Sequence, residues 1–218
     1  MKKIFSLTNN QHISKGFAYA PNIYPKSQII NIDCNKCDAR GKYPSKEFSI
    51  DLEDGNKYPD MLMCGAYPLL IVSEKVIKSW QDNGIKGYNY FQIGINQIRI
   101  KKPKKKEPPN YFHIVVDGKC EIDLEKMGVS VKHKCPKCKN TYFNQEPWQM
   151  NKIVIKKVDN VENDFYISSY FPTIVLCSEK ILICACKNKH SNFRFLELEN
   201  ALTIIPSPQG IDYMNYCK

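Results

Sequence analysis

The chain has 218 residues, and its 32 Lys and Arg against 22 Asp and Glu leave a formal net charge of +10. An apolar fraction of 43% with 25% charged residues is that of a globular protein, and it excludes a disordered or collagen-like chain. The positive balance favours an acidic partner or a self-repelling, soluble surface.

In chain order, Met1-Lys2-Lys3 precedes an apolar run that breaks into polar residues by Thr8. That is too short for a secretory signal. No stretch reaches the ~20 apolar residues of a spanning helix, so no membrane association is expected. The expected location is the cytoplasm, where thiols stay reduced. A first CxxC, Cys34-Asn35-Lys36-Cys37, comes next, with Gly41 shortly after. After Pro59-Asp60-Met61-Leu62-Met63, the run Leu69 to Val72 reads as a short buried strand bounded by Pro68. Ser73 then stands as a helix N-cap, with Glu74 on the positive helix end. Val76, Ile77 and Trp80 form one apolar face, and Gly84 after Asn83 stops the helix. Gly87 to Ile95 returns as an aromatic-rich strand.

Lys101-Lys102-Pro103-Lys104-Lys105-Lys106 and the prolines after it break any regular element. The segment 101–110 reads as an exposed, solvated linker between halves 1–100 and 111–218, and the lysines of 101–106 are a candidate contact for nucleic acid or an acidic protein. The second half repeats the order of the first. Cys135-Pro136-Lys137-Cys138 is followed by Asn163-Asp164-Phe165, Pro172, the run Thr173 to Cys177, and Ser178-Glu179-Lys180. A helix follows from Ser178 to His190, and Phe193 to Leu198 forms the returning strand. Its face, Ile181-Leu182-Ile183-Cys184-Ala185, is more apolar than its counterpart and is expected to be more buried. The offset is 104 from Asp60 to Asp164 and 105 from Ser73 to Ser178. The expected fold is α+β: two similar β-β-α-β halves, an internal repeat, joined by a zinc site formed by the two CxxC knuckles in one integrated fold.

A CxxC turn places two sulfurs on one side of a metal, and two such turns complete a tetrahedron. Cys34, Cys37, Cys135 and Cys138 are therefore the candidate ligands of one structural Zn²⁺. Lysines at 132, 134, 137 and 139 help keep the second pair ionised. His133 could replace one cysteine. Two redox-active pairs, or plain reduced thiols, are the alternatives. A redox CxxC opens a helix in a βαβ unit, and neither pair is followed by an amphipathic helix. Cys64, Cys177, Cys184 and Cys186 lie in apolar runs and read as core residues, whereas Cys120 and Cys217 read as surface thiols. Ligands drawn from both halves would staple them, so chelation or Cys135→Ser would loosen the whole protein.

No GxGxxG, P-loop, HExxH or GxSxG is present, and the histidines at 12, 113, 133 and 190 share no motif. Asp60 and Asp164 read as acids at strand edges or turns. A four-thiolate site has no open position for substrate. The expectation is a protein that is not an enzyme and takes no small-molecule substrate.

Two CxxC knuckles about a hundred residues apart, each followed by Asp-apolar and then apolar-Ser-Glu-Lys, resemble the double-CXXCG-motif proteins. These are a paralogous group of myxobacteria, and some are regarded as immunity proteins in bacterial competition. The resemblance runs from about Ile32 to Leu202. It implies an intracellular protein that binds and neutralises a cognate toxin, and it carries over the four cysteines alone. The motif's glycine is replaced by Asp38 after Cys37 and Lys139 after Cys138. Such a turn needs a residue tolerant of positive φ, and Gly41 or Asn140 could serve. The partner would have an acidic face or be held by apolar and aromatic contacts, with Tyr19, Tyr24, Tyr43 and Tyr58 in loop-like stretches. The alternative is a zinc-ribbon-type nucleic-acid-binding protein, with Tyr88-Asn89-Tyr90-Phe91 and Phe193-Arg194-Phe195 stacking on bases.

Overall fold

The architecture comes from a computed structural model, which describes residues 3–9, 16–25, 29–37, 40–44, 47–62, 64, 69–100, 102–103, 107–145 and 152–200. Pro68, Lys101, Lys104 to Lys106 and Cys217, singled out above, lie outside them. The first half contains β1 (Ile4–Asn9), β2 (Ile23–Tyr24), β3 (Ile29–Asp33), β4 (Arg40–Pro44), β5 (Ser49–Glu53), β6 (Met61–Leu62), β7 (Leu70–Ser73), α1 (Glu74–Asp82) and β8 (Tyr88–Arg99). The second contains β9 (Tyr111–Val116), β10 (Lys119–Ile122), β11 (Val131–Lys134), β12 (Thr141–Phe143), β13 (Ile155–Val158), β14 (Phe165–Ser168), β15 (Val175–Ser178), α2 (Glu179–Lys187) and β16 (Phe193–Glu197). The protein is α+β, mostly sheet. Among the described residues no helix is long and apolar enough to cross a membrane.

Two six-stranded sheets, β2-β5-β8-β9-β7-β6 and β13-β10-β14-β15-β1-β16, make up the body. Two separate hairpins, β3-β4 and β11-β12, carry the knuckles. Strand β1 opens the chain, yet it lies between β15 and β16 of the second half. Strand β9 follows the lysine segment, yet it lies between β7 and β8 of the first. The two halves are thus interleaved, because each sheet takes a central strand from the other half. Neither half could close its sheet alone.

The helices form where their apolar spacing places them. Val76, Ile77 and Trp80 are buried on α1, while Lys75 and Lys78 face water. On α2, Ile181, Leu182, Cys184 and Ala185 are buried, but Ile183 is 56% exposed. The expected extra burial of α2 does not occur. At 3.6 residues per turn, Ile183 falls on the face opposite its neighbours. The two helices touch, and their inner faces share one core with residues of both sheets, including Phe5, Leu70, Ile114, Phe165 and Phe195. Separate clusters around Ile50 and Tyr111 and around Ile122 and Tyr166 cover other faces of the sheets.

Ser73 and Ser178 hold the N-cap positions, but their hydroxyls do not cap the helices. Each donates instead to an aspartate, Ser73 to Asp60 at 2.8 Å and Ser178 to Asp164 at 2.7 Å. The second carboxylate oxygen of each aspartate reaches the other half. Asp60 accepts the Ser191 amide at 2.8 Å, and Asp164 accepts the Lys86 amide at 3.1 Å. Lys75 pairs with Asp60 at 3.4 Å and Lys180 with Asp164 at 3.6 Å. The same lysines donate across to the carbonyls of Lys189 and Gly84, respectively.

Candidate metal centre

Both knuckles sit at hairpin turns, because CxxC closes a tight turn between two short strands. In the first, the Cys37 amide donates to the Cys34 carbonyl at 3.3 Å. In the second, the Lys139 amide donates to the Cys135 carbonyl at 2.9 Å, and the Cys135 amide to the Asn140 carbonyl at 2.8 Å. Lys139 has a φ of +62°. The left-handed residue thus stands where the motif's glycine would be, and not at Asn140. Asp38, the other departure, lies outside the described residues.

The hairpins bring Cys34, Cys37, Cys135 and Cys138 together, with all four sulfurs within 4.8 Å of one another. Cys34 Sγ lies 3.7 Å from Cys135 Sγ, and Cys37 Sγ lies 3.5 Å from Cys138 Sγ. Disulfide sulfurs would be about 2.05 Å apart. A tetrahedron of sulfurs about 2.3 Å from a zinc ion has edges of about 3.8 Å. All four thiols are free. The cluster could therefore hold one metal ion, each hairpin supplying two ligands. Two hydrogen bonds reinforce the meeting: Lys137 Nζ donates to Asn35 Oδ1 at 2.9 Å, and the Tyr142 hydroxyl donates to the Cys37 carbonyl at 2.7 Å.

The thiols differ in acidity. The Cys138 amide, with that of Lys137 beside it, outweighs burial and holds the Cys135 thiol down at about 6. The Asn140 amide pulls Cys138 the same way, but burial and the neighbouring sulfurs outweigh it and push that thiol up to about 12. One thiolate forms readily, and its neighbours then oppose the next. A bound cation removes that opposition. Elsewhere burial alone dominates, and it raises Cys64 to about 12 and Cys120 to about 11, where Asp159 adds to it. Cys64, Cys177 and Cys184 are buried thiols, as the apolar runs imply. Cys120 is buried too, against the surface position expected from its polar neighbours, because β10 turns it into the core around Ile122. Cys186 is disulfide-bonded instead of a free core thiol.

His133 stands outside the four-sulfur cluster. It is exposed on β11 and lies flat on Tyr142, with centroids 4.4 Å apart and planes 8° apart. Asp60 and Asp164 stand in the cross-half clamps, remote in role from any metal. Tyr142 and Asn35, which tie the hairpins together, carry no sequence signal, since a lone Tyr or Asn has no motif.

No protein-family model matches the chain, and no curated protein sequence does.

Proposed function

We propose that this chain is a binding protein with one structural zinc ion, acting as an immunity protein that occludes a cognate bacterial toxin without catalysing a reaction. The supporting observation is the four-sulfur cluster, with ligands 101 residues apart at 3.5 and 3.7 Å. Cys34, Cys37, Cys135 and Cys138 would hold the ion. Four thiolates complete its tetrahedron, so its role is to fix the hairpins and not to activate a substrate. The recurring Asp-Ser-Lys clamps, Asp60-Ser73-Lys75 and Asp164-Ser178-Lys180, support a duplicated β-β-α-β unit. The toxin partner follows from the double-CXXCG resemblance, and a cytoplasmic site of action goes with it.

The test has two parts. Metal analysis of the purified protein should find one zinc per chain, lost in Cys34→Ser/Cys135→Ser. A pull-down from the source cells at about 0.5 M salt with nuclease removes contacts that depend on screened charge. The recovered partner is then expressed in cells with and without this chain. Growth arrest relieved by co-expression at equal stoichiometry supports the reading. Cells that lack the protein yet gain no sensitivity to any neighbour's toxin would overturn it.

A further inference from the structure

We infer that the paired knuckle hairpins form a contact surface for single-stranded nucleic acid. Residues 131–145 include Lys132, Lys134, Lys137 and Lys139 and no acidic residue. All four lysines are exposed, as is Lys36 on the facing knuckle. None of the five forms an ion pair among the described residues. Five ammonium groups outnumber the two negative charges of a divalent ion held by four thiolates together with that of exposed Asp33 on β3. The lysines therefore do more than neutralise the metal centre.

Charge alone would suit an acidic peptide equally well. The aromatic pair decides between them. His133 and Tyr142 are cross-strand neighbours on β11 and β12, stacked at 4.4 Å. The Tyr142 hydroxyl bond to Cys37 fixes the lower ring. All four residues of β11 are exposed, so no core explains the stack. The outer face of His133 is a flat platform among lysines, which fits an unpaired base between phosphates. The aromatic strands named as stacking candidates fit less well. Phe193 and Phe195 are buried, Tyr88 packs on Trp80, and the exposed Tyr90 is held edge-on to Phe112 on a strand that carries no lysine.

The inference rests on the metal reading only in that an ion would set the two hairpins against each other. The probe is a fluorescein-labelled oligo(U) of about 15 nucleotides, titrated by anisotropy from about 50 mM salt upward. The expected log–log slope lies between about −2 and −3.5, for three to five neutralised phosphates. Lys132→Glu/Lys134→Glu/Lys139→Glu should weaken binding at least about tenfold and flatten the slope, and His133→Ala should weaken it about tenfold. A control reversal on other elements, Lys157→Glu/Lys187→Glu, should change it less than about twofold, and a duplex of equal length should bind more weakly. No binding, equal loss in the control, an unaffected His133→Ala, or poly-glutamate competing as well as RNA would each overturn the inference. The last outcome would point to an acidic protein. Thermal melts and zinc content of every sample separate a misfolded or metal-free protein from a failed contact.

Discussion

Asp164 is 1% exposed and accepts the Ser178 hydroxyl and the Lys86 amide, with Lys180 3.6 Å away. Asp164→Ala leaves those donors facing an apolar side chain. Lys180 is 46% exposed and can hydrate, so the loss comes from the orphaned Ser178 hydroxyl and Lys86 amide and should be about 2–3 kcal/mol. Asp60 makes matching bonds, but its side chain is 15% exposed. Water can reach the donors left by Asp60→Ala, so that loss should be nearer 1–2 kcal/mol. Urea midpoints of the two variants check the order, and a smaller loss for Asp164→Ala would show that its donors find other partners. Two histidines contribute to the acid behaviour. Burial holds His113 near 4, and burial, with Lys75 opposing Asp60, does the same for His190. Both folded values lie below the ordinary 6.5, so the unfolded chain takes up protons that the folded chain refuses. Their contribution is complete above about pH 6.5 and is lost as pH falls toward 4, by about 1.4 kcal/mol per pH unit for each histidine. His113→Phe should remove one of these protons, and urea unfolding at several pH values would show the shallower slope. An unchanged slope would mean that His113 charges freely in the folded state.

The helix ends give a comparison within one molecule. Each helix ends at an asparagine whose side chain donates back to a carbonyl, Asn83 to Ser79 at 2.7 Å and Asn188 to Cys184 at 2.9 Å. The next residue is left-handed in both, Gly84 at φ +58° and Lys189 at φ +51°. A side chain there costs about 1–2 kcal/mol, less the extra entropy a glycine loses on folding. A Cβ on Gly84 meets nothing closer than Lys180 Nζ at 3.9 Å, so Gly84→Ala tests backbone strain without a clash. It should destabilise by about 1 kcal/mol, and Lys189→Gly should stabilise by up to the same amount; thermal melts read both. The end of the first helix was legible in the sequence, as were the apolar runs before each helix and the knuckle turns; the second was expected to run to His190 but stops at Lys187, because a left-handed Lys189 carries no glycine signal. Period and capping residues are local signals, and they act over a few positions. The exchange of β1 and β9 was not legible. Neither Ile4 to Asn9 nor Tyr111 to Val116 stands out in the sequence as a strand, and nothing local in either says which sheet it joins. Ser73 and Ser178 were rightly placed at helix starts, but their true partners, Asp60 and Asp164, lie 13 and 14 residues back. The cysteine spacing showed half-sites. Only the fold of the chain brings residues 101 apart to within 3.7 Å.

At the scale of the molecule, the question is what joins the two halves. The cysteine pattern suggests a metal staple whose removal loosens everything. The architecture distributes that task differently. Each sheet already contains a strand from the other half, and one core spans α1, α2 and both sheets. None of the four knuckle cysteines belongs to that core and neither knuckle hairpin pairs with a six-stranded sheet; the body holds the second hairpin at its end, where Phe143 of β12 stacks on Phe171. Metal loss should therefore release the hairpins and leave the body folded. Ionised thiols would repel one another, opposed across the hairpins by the Lys137–Asn35 and Tyr142–Cys37 bonds. One is charge-assisted but exposed and the other neutral and half-buried, so each contributes about 1–2 kcal/mol, too little to order two hairpins. Hydrogen exchange read by peptide mass spectrometry makes the distinction. After chelation, or in Cys135→Ser, amides of 131–140 should exchange much faster, while those of β7, β15 and both helices stay protected. Fast exchange throughout would return the stapling role to the metal. Exchange confined to the hairpins would make the ion the element that shapes a mobile surface on a rigid body, and nucleic-acid binding at that surface should then disappear with the metal while the melting of the core barely moves.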